Sequence, residues 1–144
     1  MMIFIIVSIV LSLDQLTKFL ITRNLSYNQS IPVIKGIFHL TLIHNRGAAF
    51  GILKNQVPLF IITSIAAIAL IYFNLKKIGY KKFSIYSISL SLILAGALGN
   101  LIDRLLLGYV VDFLDLRIWP VFNVADSAIT IGAILLGYSI FKER

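Results

Sequence analysis

Residues 83–102 read FSIYSISLSLILAGALGNLI, twenty residues without a single charge. About 20 apolar residues are what an α-helix needs to cross a bilayer, so this run is a membrane span. Three more runs qualify around it. Residues 57–75 are 19 without a charge, residues 2–22 carry only Asp14 and Lys18, and residues 120–141 begin a run whose one charge within the apolar stretch is Asp126. The composition agrees. The 144 residues are 59% hydrophobic and 13% charged, whereas a soluble domain is roughly 45–50% apolar and about 25% charged. Disordered chains, soluble coiled coils and most soluble folds are excluded. The expected class is an all-α polytopic membrane protein with four transmembrane helices, forming a single membrane-embedded unit over residues 1–144. The N-terminus lacks the basic region and small-residue cleavage site of a secretory signal, so it reads as a retained first helix. The absence of cysteine removes disulfides, thiolate metal sites and cysteine nucleophiles.

The net charge is +7, from 13 Lys+Arg against 6 Asp+Glu. In a soluble protein that would suggest nucleic acid. Here the basic residues flank apolar runs, so orientation and anionic membrane lipid account for them, and no nucleic-acid partner is expected. Lys76-Lys77-Ile78-Gly79-Tyr80-Lys81-Lys82 packs four lysines into seven residues, and the tail Phe141-Lys142-Glu143-Arg144 is also basic. The positive-inside tendency puts both in the cytoplasm, with N and C termini inside. Segments 23–56 and 103–119 then face outward. In the first, Phe38, Leu40 and Leu42 alternate with His39, Thr41 and Ile43, a half-buried strand, and Asn45-Arg46-Gly47 reads as a turn.

Polar residues stand where they are expensive, since a charge at the bilayer centre costs at least about 2.5–3.5 kcal/mol. Asp14, Thr17 and Lys18 share one helix face at i, i+3, i+4, and Asp14 and Lys18 are able to pair. The third run ends Gly96-Ala97-Leu98-Gly99-Asn100-Leu101-Ile102-Asp103-Arg104, where the small residues allow close helix packing and Asn100 and Asp103 share a face. Asp112 lies between apolar residues just beyond the membrane edge, and Asp115 reads as a surface charge. In the fourth run Asn123, Asp126, Thr130, Ala133 and Gly137 make one small-and-polar stripe, with Asp126 about two turns inside the start of its helix. These groups converge on one depth near the outer face, where Trp119 and Tyr109 suit an interfacial belt. Two carboxylates in a water-poor place share a proton, the arrangement with which aspartic proteases activate water. His39 and His44 read as surface or interfacial side chains rather than ligands, and no nucleophilic-serine or zinc motif is present. Spacing and burial leave two readings open: a dicarboxylate protease, and a small proton- or cation-coupled membrane transport protein. A transporter needs a polar path to the cytoplasmic side, and the inner halves of the spans offer only hydroxyls such as Ser84, Ser87 and Ser91. An assembly protein has no use for carboxylates and asparagines at one depth.

Five motifs, in order, resemble the lipoprotein signal peptidases, or signal peptidase II. They are Asp14-Gln15-Leu16-Thr17-Lys18, Asn45-Arg46-Gly47-Ala48-Ala49-Phe50-Gly51, the 96–104 stretch above, Val110-Val111-Asp112-Phe113, and Phe122-Asn123-Val124-Ala125-Asp126-Ser127. The resemblance implies a four-helix aspartic endopeptidase of the bacterial cytoplasmic membrane with a small extracytoplasmic β-cradle. It implies removal of the signal peptide from diacylglyceryl-modified prolipoproteins, with the cut just before the lipidated cysteine, and inhibition by globomycin-type cyclic peptides. It implies Asp112 and Asp126 as the catalytic pair, with Asp14, Lys18, Asn45, Gly47, Asn100, Asp103, Arg104 and Asn123 supporting the site or binding substrate. No metal and no cofactor are implied. With only 14 residues between Asp112 and Asp126, the flap that the family carries in segment 103–119 is shortened here.

Overall fold

The computed structural model describes residues 2–47, 53, 55–78 and 84–142. The motif residues Ala48–Gly51, the loop lysines 81 and 82 and the tail residues 143–144 lie outside that set. Four helices carry the chain across: α1 (Met2–Asn24), α2 (Val57–Ile78), α3 (Ile85–Leu107) and α4 (Val124–Lys142). All four are long and apolar enough to span a membrane. Three strands, β1 (Ser30–Ile34), β2 (Phe38–Asn45) and β3 (Val110–Asp115), form an antiparallel sheet in the order β1-β2-β3. The fold is therefore four helices that can span a membrane with a small sheet at one end of the bundle.

Helix α3 is the central element; α1, α2 and α4 all pack on it. Its sequence explains why. Ser87, Ser89, Ser91, Ala95, Gly96, Ala97 and Gly99 are buried, and such small side chains let neighbouring backbones approach closely. A methyl group on Gly96 would run into the Ala125 carbonyl and the Ile129 side chain of α4. Ser84 caps the start of α3 in a reciprocal capping box with Ser87, and Gly108, at φ +76°, closes its end. Asp103 and Arg104 thus stand on the last turns of α3 rather than in a loop.

The sheet is fixed to the bundle by Leu42 and Val111, which pack with Leu25 just beyond α1. β3 was not legible as a strand in the sequence. Phe122 pairs with Leu114 in an isolated bridge, which holds 120–122 extended. Helix α4 consequently begins at Val124, and Asp126 sits in its first turn, not two turns inside.

Gly99 shows how tightly bundle and site are joined. A Cβ there would lie 2.5 Å from Asp14 Oδ2. Gly99→Ala should cost about 1–3 kcal/mol, the usual penalty of overpacking, as a lower unfolding midpoint in detergent.

Candidate active site

The residues that the sequence singled out come together at the junction of α1, α3, β2, β3 and α4. The deepest layer is an ion cluster. Lys18 Nζ lies 2.9 Å from Asp14 Oδ2, 2.9 Å from Asp103 Oδ2 and 3.2 Å from Asn100 Oδ1, so its three protons are all engaged. Asp14, Lys18 and Asp103 are all buried. Their remaining oxygens are also satisfied. Asp14 Oδ1 accepts from the Ala125 amide at 2.9 Å, and Asp103 Oδ2 from the Val111 amide at 3.0 Å. Gln15 donates to Asp14 Oδ2 and to Asp103 Oδ1, both at 3.1 Å. The cluster therefore sets the start of α4 and the entry of β3 against α1 and α3. Gln15 lay within a quoted motif without a role; its place beside two buried carboxylates is visible only in three dimensions.

Above this layer stand Asp112 and Asp126. Asn123 is the cap of α4: its Oδ1 accepts from the Asp126 amide at 2.8 Å, and Asp126 Oδ2 accepts from the Asn123 amide at 3.2 Å. The local sequence Asn-x-x-Asp thus aims the Asp126 carboxylate by helix-capping geometry. The same Asn123 donates through Nδ2 to Asp112 Oδ1 at 2.7 Å. Asn100 donates to Asp126 Oδ1 at 2.7 Å while accepting from Lys18, which links the ion cluster to the second carboxylate. Asn45 donates to Asp112 Oδ2 at 2.9 Å, and its own Oδ1 is held by the Gly47 amide at 2.9 Å in the expected turn. Asp112 is fully buried within β3. Burial first, and the charge of Asp126 second, push its carboxyl up to about 7, against the downward pull of the Asn45 and Asn123 amides and Lys18.

Both carboxylates line one cleft of about 270 Å³, together with Asn45, Gly47, Asn100 and Arg104. The Arg104 guanidinium sits 5.0 Å from the Phe60 ring centroid, which ties the rim of the cleft to α2. The histidines stand apart from it. His44 stacks between Tyr27 and Tyr109, and His39 contacts Ser30. Asp115 is corrected by the structure: it is buried, not a surface charge. It accepts from Thr41 at 2.7 Å and from the amide and guanidinium of Arg117, each at 2.9 Å. Burial alone would raise its carboxyl, but these donors hold it below the usual carboxylate range. Hydrogen-bonding of a charged side chain across the sheet is what made it invisible to a reading by local polarity.

Fold and site together define a polytopic membrane protein with a paired-carboxylate cleft where the helix bundle meets its sheet. Comparison with known proteins narrows this. The family model described as signal peptidase (SPase) II matches residues 6–142. The chain is 54% identical over 141 residues to the lipoprotein signal peptidase of Caldanaerobacter subterraneus subsp. tengcongensis, covering 96% of this chain and 95% of that one. It is 49% identical over 146 residues to the lipoprotein signal peptidase of Halothermothrix orenii, covering 99% and 97%. Among solved structures, a bacterial membrane enzyme determined by the in meso method at 2.3 Å resolution superposes with a TM-score of 0.89 at 39% identity, covering 99% of this chain and 88% of that one. The chain belongs to the signal peptidase II family. It is thus a peptidase and a multi-pass bacterial membrane protein.

Proposed function

We propose that this protein is an intramembrane aspartic endopeptidase that removes the signal peptide of prolipoproteins, cutting just before a cysteine that carries diacylglycerol. The observation that carries the reading is the pair Asp112 and Asp126, which line one cleft in a chain of the signal peptidase II family. The names of its relatives, lipoprotein signal peptidases, support the substrate class.

In this reading the pair holds one proton. The ionised carboxylate takes a proton from water, and the hydroxide adds to the scissile carbonyl carbon. The protonated carboxyl donates to the carbonyl oxygen. Collapse of the tetrahedral intermediate passes a proton to the amine nitrogen of the cysteine, and the signal peptide leaves with a new carboxylate. Asn45, Asn100 and Asn123 fix the two carboxylates. Arg104 at the rim offers positive charge to the developing oxyanion. Asp14, Lys18 and Asp103 hold the elements that carry the pair. The signal helix enters from the lipid, both termini are cytoplasmic, and the cleft opens at the outer face. Globomycin-type peptides compete by occupying the space between the carboxylates.

Because the one-proton form is the active one and Asp112 titrates at about 7, kcat/KM should fall as pH rises above about 7, approaching tenfold per pH unit. Initial rates across that range check it; a flat alkaline limb speaks against a shared proton. The substrate class is tested with a diacylglyceryl-modified prolipoprotein peptide and an unlipidated twin, with products read by mass spectrometry. Cleavage of the lipidated peptide only, at the bond before the cysteine, is expected. Folded protein that cleaves neither, but carries ions in liposomes, would replace the reading with a transport one.

A further inference from the structure

A second chamber lies against the cleft. It holds about 370 Å³, against about 270 Å³ for the cleft itself, and the two share Trp119, Phe122, Asp126 and Thr130. Their linings differ. The cleft adds Asn45, Asn100, Arg104 and Asp112, whereas the chamber adds Leu116 and Ile131. Trp119 and the first turns of α4 are therefore a partition between a polar compartment and an apolar one. Below the chamber, Ile131, Ile134 and Tyr138 repeat at helical spacing on α4 and are 52%, 67% and 54% exposed, a lipid-facing track that leads toward the membrane interior. The wall on the other side is pinned. Arg117, at φ +66°, is clasped by Asp115 through its amide and guanidinium, which fixes the turn that carries Leu116 and Trp119.

We propose that this chamber is the subsite for an aliphatic acyl chain attached within a few bonds of the scissile peptide, with Trp119 dividing the chain from the reacting bond. The inference rests on the diacylglyceryl-cysteine reading above and says where one of its chains goes. The chamber is larger than a single amino-acid side chain fills, so one residue of the peptide would leave it partly empty. A spanning signal helix needs a surface along the whole membrane, and the chamber is confined to the first two turns of α4. An acyl chain meets both conditions: its ester end lies beside Asp126 and its tail continues along Ile131, Ile134 and Tyr138 into the lipid. Asp115 is then a positioning residue, acting through the turn that holds Trp119.

The test compares two lipidated peptides, one dipalmitoyl and one dibutyryl, in the wild type, in Ile131→Trp and in Leu116→Trp. Wild type should prefer the long-chain substrate in kcat/KM, through KM. Filling the chamber should reduce that preference at least about tenfold, roughly the effect of losing two buried methylenes. Leu70→Trp, on the lipid face of α2 where Leu70 is 65% exposed, should leave the preference as in wild type. Leu116 lies in a turn outside the helices, so its variant decides the matter if Ile131→Trp fails to fold. An unchanged preference in both chamber variants overturns the subsite. So does a penalty that follows the residue preceding the cysteine instead of chain length, or a wild type indifferent to chain length. A folded wild type that cleaves neither peptide overturns the proposed function itself, and the subsite with it.

Discussion

Lys18→Met should be the most damaging single change to the fold, costing about 3–5 kcal/mol. The lysine is 4% exposed, and its ammonium is the cation shared by the buried Asp14 and Asp103 carboxylates. Removing it leaves two charges in a water-poor place with hydrogen bonds but no counter-ion. Those carboxylates also hold the Ala125 amide at the start of α4 and the Val111 amide beside Asp112. The loss should therefore appear both as a much lower unfolding midpoint in detergent and as loss of activity. Neutralising all three positions together, as Asp14→Asn, Lys18→Met and Asp103→Asn, should recover part of the stability, because the uncompensated charges are then gone. A Lys18→Met protein within about 1 kcal/mol of wild type would mean that the cluster is hydrated and not structural.

Asp112→Asn should do the opposite to stability and more to activity. Turnover should fall at least about 10³-fold, within the range that general acid–base groups contribute. The sign of the stability change follows from the raised carboxyl. In the unfolded chain Asp112 titrates near its ordinary value of 3.8, and in the fold at about 7. Between those values the folded state binds the proton more tightly, so the stability present at low pH is lost progressively as pH rises to about 7. An asparagine carries no such cost. Asp112→Asn should thus match or exceed wild-type stability above about pH 7, measured as unfolding midpoint against pH. An inactive variant that is also destabilised at alkaline pH would point to a structural role for Asp112.

The helices were legible because membrane spans announce themselves: a run such as 83–102, free of charge, has few other uses. The polar site was legible for the same reason, since Asp14, Lys18, Asn100, Asp103 and Asp126 are conspicuous in apolar sequence. What stayed hidden was what needs a partner to be seen. β3 has the burial of a strand covered on both faces, so Val110, Val111, Asp112 and Phe113 are all buried and the period-2 alternation that marks β2 is absent. Asp115 read as a surface charge because Thr41, its partner, lies 74 residues away. The start of α4 was misplaced by four residues, from 120 to 124, because Pro120 suits a helix start as well as an extended entry. Phe122 decides between them by pairing with Leu114, and Asn123 then caps.

The central claim is that Asp112 and Asp126 act as one unit. The direct measurement is turnover of a lipidated prolipoprotein peptide by Asp112→Asn, by Asp126→Asn and by the double variant, each shown to be folded. If the two carboxylates share one task, each single variant should fall to the level of the double, and the losses should not multiply. Near-wild-type turnover in either single variant, or losses that multiply in the double, would contradict the account.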